Sequence, residues 1–341
     1  MIVSSSVYPI PCQYGGLERQ VELLANELAK RGHKVAVAAP KGSKGSNFEI
    51  IETTPPASGI TNWHILEGQA MQIYKYRVKE FDIIHGHNWF GYEYLIKRDN
   101  PSLNIKIIHT HHGHVSWRTP PPVPYPNLCA VSNYLANEIS SKLGVPVRAV
   151  HNAINLSEFK YREDKEDFFL FLGRITKYKQ PHVCIDLARR LRFKLIIAGE
   201  HIMVEDHNYV ADIQRRAADS YGLVTFLGRI SNEMRIDLLS RAKAVLIPSW
   251  FKEPLGLVSL EAQASGTPVI ALNDGGLPET IKHGKTGFVC NSVEEMERAI
   301  KKIDRINPKD CRLWVEKMFS ADIMCSKYEK LYKQILDNME W

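Results

Sequence analysis

Short apolar runs, each closed by a polar or glycine-containing loop, alternate with stretches of helical periodicity in two successive series along this chain. That alternation constrains the fold most, because strands separated by helices pair in parallel and need cover on both faces. In the first series Leu17, Val21, Leu24, Ala25 and Leu28 recur at helical spacing and stop at Gly32, a natural C-cap. Residues 33–39, 82–85 and 105–109 read as strands, and residues 130–132 as a strand entering a helix over Asn133–Leu143 that Ser132 caps. In the second series the strands fall at 168–172, 195–198, 224–227, 244–247 and 268–271, and a long amphipathic helix runs from about 321 to 339. Between the series, the charged stretch 160–167 reads as a linker.

A chain of 341 residues exceeds what one core usually serves, so two domains are expected. The fold class that follows is α/β: two facing Rossmann-like domains with a cleft between them, divided after residue 159. In open α/β sheets, ligands bind outside the carboxyl ends of the strands. No apolar run approaches the ~20 residues of a membrane span. The first residues show no secretion signal, and six scattered cysteines without a Cys-x-x-Cys pair fit a reducing cytoplasm better than a disulfide framework. A net charge of +6 suits an anionic ligand or an anionic membrane surface, while no basic stripe interleaved with aromatics points to nucleic acid.

The chemistry concentrates at strand ends. Residues 249–268 follow an apolar strand and carry Glu253 and Glu261 on either side of a helix start at Gly256-Leu257-Val258. Free N–H groups of such a helix start suit an anion or a sugar oxygen, and each carboxylate can grip vicinal hydroxyls. As isolated residues both would read as surface glutamates; the Pro-Leu-Gly and Gly-Thr-Pro flanks argue otherwise. Gly173-Arg174 ends the strand at 168–172 and Lys179 follows, two cations suited to a departing diphosphate. Gly15-Gly16 precedes the first helix and lets backbone N–H groups approach a phosphate, although a plain tight turn reads equally well. Gly275-Gly276 suits either a ligand or a turn. His85, His87, His109, His111, His112 and His114 crowd the strand ends of the first half. No carboxylate or cysteine joins them at ligand spacing, so a sugar-binding or catalytic role for one of them is preferred to a metal site, and no metal ligand is assigned. The PPPVPYP run at 120–126 reads as a stiff extended loop.

Taken together, these motifs resemble the family 4 glycosyltransferases, retaining enzymes of GT-B architecture. The resemblance runs in order through Gly15-Gly16-Leu17-Glu18, the 82–87 strand end, Thr110-His111-His112-Gly113, Val131-Ser132, Asn152-Ala153-Ile154-Asn155, Gly173-Arg174 with Lys179, Ala198-Gly199, Phe226-Leu227-Gly228, Glu253 with Glu261, and Gly275-Gly276. It implies that Arg174 and Lys179 hold the donor diphosphate and that Glu261 takes the ribose hydroxyls. Glu253, with the backbone of Gly256, Leu257 and Val258, takes the transferred sugar. Gly15 and Gly16 meet the phosphates, with Gly173 beside them, and the base lies by Gly228 and Arg229. His112 is the histidine near the sugar, with His111 its rival. The second domain would then bind the donor and the first the acceptor, with the last helix, residues 321–341, packing back on the first. Gln180 stands where the family usually has glycine, and Asn152-Ala153 where it has Asn-Gly.

The implied partners are a nucleotide-diphosphate sugar and an acceptor hydroxyl on a glycan, lipid or small molecule, with no cofactor, no metal and no nucleic acid. A lipid-linked acceptor would bring the protein to the membrane surface. A sugar phosphorylase or nucleotide-sugar epimerase of the same architecture, and a non-catalytic sugar-binding protein, are the alternatives; a dehydrogenase lacks its dinucleotide fingerprint.

Overall fold

The computed structural model describes residues 1–12, 15–57, 63–114, 125–200 and 207–341. It forms two compact units, Met1–Ala153 with Ala321–Trp341, and Ile154–Ser320. Most of the 120–126 loop lies outside the described residues.

The first unit holds a seven-stranded sheet of β1 (Ile2–Val3), β2 (Ala36–Ala39), β3 (Glu49–Glu52), β4 (Ile84–Gly86), β5 (Ile107–His111), β6 (Leu128–Ala130) and β7 (Val147–Ala149). The order is β3-β2-β1-β4-β5-β6-β7 and every pairing is parallel. Helices α1 (Gly16–Lys30), α2 (Trp63–Tyr74), α3 (Glu93–Asp99) and α4 (Asn133–Leu143) connect the strands. The period-2 alternation of strands builds two cores: Val37 and Ala39 face α1, whereas Ala36 and Ala38 join Met71 and Tyr74 of α2. Helix α1 stops as the sequence indicates, with Gly32 at φ 90° and its N–H on the Ala29 carbonyl at 3.0 Å.

The second unit holds β8 (Phe169–Leu172), β9 (Leu195–Ala198), β10 (Val224–Gly228), β11 (Ala244–Ile247), β12 (Val269–Leu272) and β13 (Gly287–Cys290) in the order β10-β9-β8-β11-β12-β13, again all parallel. Its helices are α5 (Pro181–Leu191), α6 (His207–Ala218), α7 (Asn232–Arg241), α8 (Leu257–Ala264), α9 (Leu277–Thr280), α10 (Val293–Ile300) and α11 (Pro308–Met318). The last helix, α12 (Ala321–Leu336), belongs to the first unit, where Met324, Tyr328, Leu331 and Ile335 join the α1 core. Each such buried apolar side chain contributes roughly 1.5–3 kcal/mol.

Residues 160–167, expected to link the domains, lie inside the second unit, and the division falls at Ala153/Ile154. The reason is local. Lys165 Nζ donates to the Ser240 and Ser265 carbonyls and to Thr267 Oγ1 at 2.8, 3.0 and 2.9 Å, and the Glu166 N–H meets the Arg241 carbonyl at 2.8 Å. Charge made the stretch look like a linker, but its lysine satisfies helix-end carbonyls that would otherwise lack a donor.

Candidate active site

At the carboxyl edge of the second sheet three neighbouring strands end in glycine. Gly173 follows β8, Gly199 follows β9, and Gly228 closes β10. Gly173 donates to the Ala198 carbonyl at 3.1 Å and Gly199 to the Gly228 carbonyl at 2.8 Å. At Gly199, φ is 150° and a Cβ would sit 1.7 Å from the Gly173 oxygen, so only glycine fits there. The backbone is thereby open at the sheet edge. Arg174 projects from it, exposed and without an ion pair or side-chain hydrogen bond among the described residues, while Arg229 lies 3.4 Å from Glu200.

Two residues of the 249–268 motif are buried carboxylates, Glu253 at 6% and Glu261 at 3% exposure. Buried carboxylates need partners to remain charged, and each has one. Lys179 Nζ donates to Glu253 Oε1, and its ammonium also lies 5.8 Å from the centre of the Phe251 ring. Arg235 Nη1 donates to Glu261 Oε2. The loop carrying Glu253 is fixed from beneath: its N–H donates to Asp274 Oδ2 at 3.1 Å, and its carbonyl accepts from the Gly276 N–H at 2.6 Å. Burial pushes the Asp274 carboxyl above its usual range. A Cβ on Gly275 would lie 2.3 Å from the Glu253 oxygen, so the glycine pair serves close approach of this loop. Gly256, at φ 96°, turns the chain into α8, whose first two residues are Leu257 and Val258. Their N–H groups open at the helix start beside Glu253.

Gln180 takes φ 53° and ψ 47°, the left-handed conformation, immediately before Pro181 opens α5. The departure from glycine thus leaves the backbone in a glycine-like turn.

In the first unit, Gly15 has φ 131° and precedes Gly16, the first residue of α1. A Cβ on Gly15 would meet Glu18 Oε2 at 2.4 Å, because the Glu18 carboxylate folds back to accept from Ser5 Oγ. Burial holds the Glu18 carboxyl above its ordinary pKa. This packing gives Gly15 a structural duty whatever else it does.

The histidines separate by strand face. His112 Nε2 lies 2.8 Å from His87 Nδ1, and His85 bonds Tyr332 Oη at 2.7 Å and Thr110 Oγ1 at 2.9 Å. His109 Nδ1 meets the fully buried Glu93 at 2.5 Å, and its ring sits edge-on to His111. Desolvation pulls His112 down to about 3 and holds His85, His87 and His111 well below 6.5, so all four are neutral at pH 7. His114 meets Glu138 at 2.8 Å. Among the described residues no three His, Cys, Asp or Glu side chains gather as a metal site. Gly86 admits the Glu93 carboxylate, which a Cβ would overlap at 1.8 Å. Glu67 accepts the Trp89 N–H at 3.0 Å, and burial pushes it up to about 8.

Four partners escaped sequence reading: Arg235, Asp274, Glu93 and Glu67. Only Asp274 carried a signal, standing directly before Gly275-Gly276.

A family model described as Glycosyltransferase Family 4 matches residues 14–158, and one described as Glycosyl transferases group 1 matches residues 154–316. The chain is 28% identical to glycogen synthase of Mycobacterium tuberculosis over 85% of this chain and 82% of that protein. Sucrose-phosphate synthase of Thermosynechococcus elongatus superposes with a TM-score of 0.78 at 20% identity, over 99% of this chain and 98% of that one. Anabaena HepE, solved in complex with UDP and glucose, gives a TM-score of 0.71 at 14% identity over 97% and 98%. With the two family models tiling both Rossmann-like units in order, the chain belongs to the family 4, group 1 glycosyltransferases of GT-B architecture.

Proposed function

We propose that this glycosyltransferase moves a hexose-type sugar from a nucleotide-diphosphate donor to an acceptor hydroxyl with retention of anomeric configuration. The observation that carries the reading is the pair of buried carboxylates, Glu253 and Glu261, flanking one helix start and each facing a cation. Anabaena HepE, of the same fold, was solved with UDP and glucose, which supports a nucleotide donor.

In this reading Glu261 accepts from the ribose diol, while Glu253 and the N–H groups of Leu257 and Val258 receive hydroxyls of the transferred sugar. The base lies by Gly228 and Arg229. Lys179 and Arg174 meet the diphosphate, with Gly173 leaving room at the strand end and Gly15-Gly16 approaching from α1. A diphosphate competes with Glu253 for the Lys179 ammonium, so the lysine follows charge onto the leaving group as the C1–O bond breaks. Stabilisation that grows with that charge lowers the barrier rather than merely tightening binding. The acceptor oxygen attacks C1 on the face the diphosphate leaves, and its proton passes to a departing phosphate oxygen. His112, neutral, contributes hydrogen bonding near the sugar rather than charge. Residues 1–153 then serve the acceptor, at the membrane surface when that acceptor is lipid-linked.

The test is a thermal-shift panel of UDP-, GDP- and ADP-sugars in excess chelator, followed by slow hydrolysis of the best donor. One donor class is expected to raise the melting temperature by mass action and to be hydrolysed without added metal. No shift with any of them ends the donor reading. Consumption of free phosphate, or epimerisation without acceptor, would identify a phosphorylase or an epimerase instead.

A further inference from the structure

Arg235 projects from α7, the helix that follows β10, and reaches Glu261 on α8. Its side chain is 15% exposed and that of Glu261 4%. The guanidinium is fixed on three sides. Nη1 donates to Glu261 Oε2, Nε and Nη2 both donate to Asn232 Oδ1 at 3.1 and 2.7 Å, and Cζ lies 5.5 Å from the centre of the Phe159 ring. A lysine placed here would be a point charge on a flexible stem, whereas this fork is held at both ends.

The chemistry follows from burial. A carboxylate removed from water keeps its charge only against a cation, and an ionised carboxylate is purely an acceptor. A pair of vicinal hydroxyls is a matching pair of donors. With one carboxylate oxygen engaged by a fixed guanidinium, Arg235 restricts the rotation of the Glu261 head group about its last bond.

We propose that Arg235 is a positioning residue for nucleotide recognition, orienting Glu261 as an ionised acceptor for the ribose diol. The assignment rests on the donor reading given above and adds to it the residue that sets the ribose preference. Arg235 acts through Glu261 and need not touch the nucleotide.

The experiment compares the affinity of the best nucleoside diphosphate with that of its 2′-deoxy analogue, by calorimetry, in wild type, Arg235→Met, Arg235→Lys, Glu261→Gln and the double variant Arg235→Met/Glu261→Gln. A charge-assisted hydrogen bond to ribose should give wild type a preference on the order of tenfold. Arg235→Met is expected to erase most of that preference and to raise KM for the donor while kcat holds, because ribose contacts bind ground and transition states alike. Arg235→Lys should restore part of it. On the Glu261→Gln background, Arg235→Met should change nothing further. Should Arg235→Met misfold with Glu261 uncompensated, Arg235→Lys and the double variant still decide, since the double variant leaves no buried charge unpaired at this position. A full ribose preference in Arg235→Met, or a further loss of preference in the double variant beyond Glu261→Gln, overturns the assignment. Absence of any nucleoside diphosphate binding by wild type overturns the donor reading and this inference with it.

Discussion

Lys179 carries two duties that a single substitution exposes. It neutralises the buried Glu253, and in the proposed reaction it would also meet the donor diphosphate. Lys179→Ala should lower turnover by ~10²–10³, the range for loss of one preorganised donor. It should also lower the melting temperature, because a buried carboxylate loses its cation. Adding Glu253→Gln should recover the melting temperature but not the turnover; recovery of both would remove the lysine from the chemistry. One residue along, Gln180 holds a left-handed backbone that glycine adopts freely. Gln180→Gly should therefore raise stability by up to about 1 kcal/mol, read from the denaturant midpoint, the gain being reduced by the greater freedom of glycine in the unfolded chain. The carboxylates themselves were legible because the motif around them is dense. Arg235 was not, since it sits 26 residues from Glu261 in a polar helix with no glycine or proline to mark it.

Elements differ in how plainly their sequences speak. Helix α4 does so fully: Ser132 Oγ accepts the Leu135 N–H at 3.0 Å, and Gly144 at φ 69° ends the helix. Ser132→Ala should cost about 1 kcal/mol, measured by urea unfolding; no change would mean that packing, not the cap, sets this helix start. Strands β8, β9 and β11 were readable as unbroken apolar runs because both faces are buried. Strands β3, β7 and β13 were not. All three are sheet edges, and Glu49-Ile50-Ile51-Glu52 and Val147-Arg148-Ala149 are too polar to stand out, while β13 opens on a glycine. The charge of 160–167 misled for a related reason: composition reports exposure on average and cannot reveal that Lys165 finds three oxygens.

At the scale of the whole molecule, three buried histidines and the half-buried His112 tie stability to pH. His85, His87, His111 and His112 have folded pKa values below the unfolded 6.5, so the unfolded chain binds more protons than the folded one as pH falls. Their stabilising contribution is complete above about pH 6.5 and is lost progressively below it, by at most about 1.4 kcal/mol per pH unit for each linked proton. Burial raises Glu67 to about 8 and raises Glu18 as well, so both carboxyls oppose this trend and cost stability as pH rises through their folded range. Four imidazoles outweigh two carboxyls, so the midpoint of chemical unfolding should fall from about pH 6.5 towards about pH 5. A midpoint unchanged at about pH 5 would mean that these imidazoles reach water before the unit opens.

The return of α12 to the first unit has a consequence for birth as well as for architecture. Met324, Tyr328, Leu331 and Ile335 complete a core whose other members, Ile2, Val21, Leu24 and Val37, leave the ribosome some three hundred residues earlier. The second unit, drawn from one uninterrupted stretch, can close on itself while that first core still waits for its final layer. The unit whose strands β1 to β7 emerge ahead of the other thus receives α12 only after that other unit has been made, and its core on the α1 side stays incomplete until then.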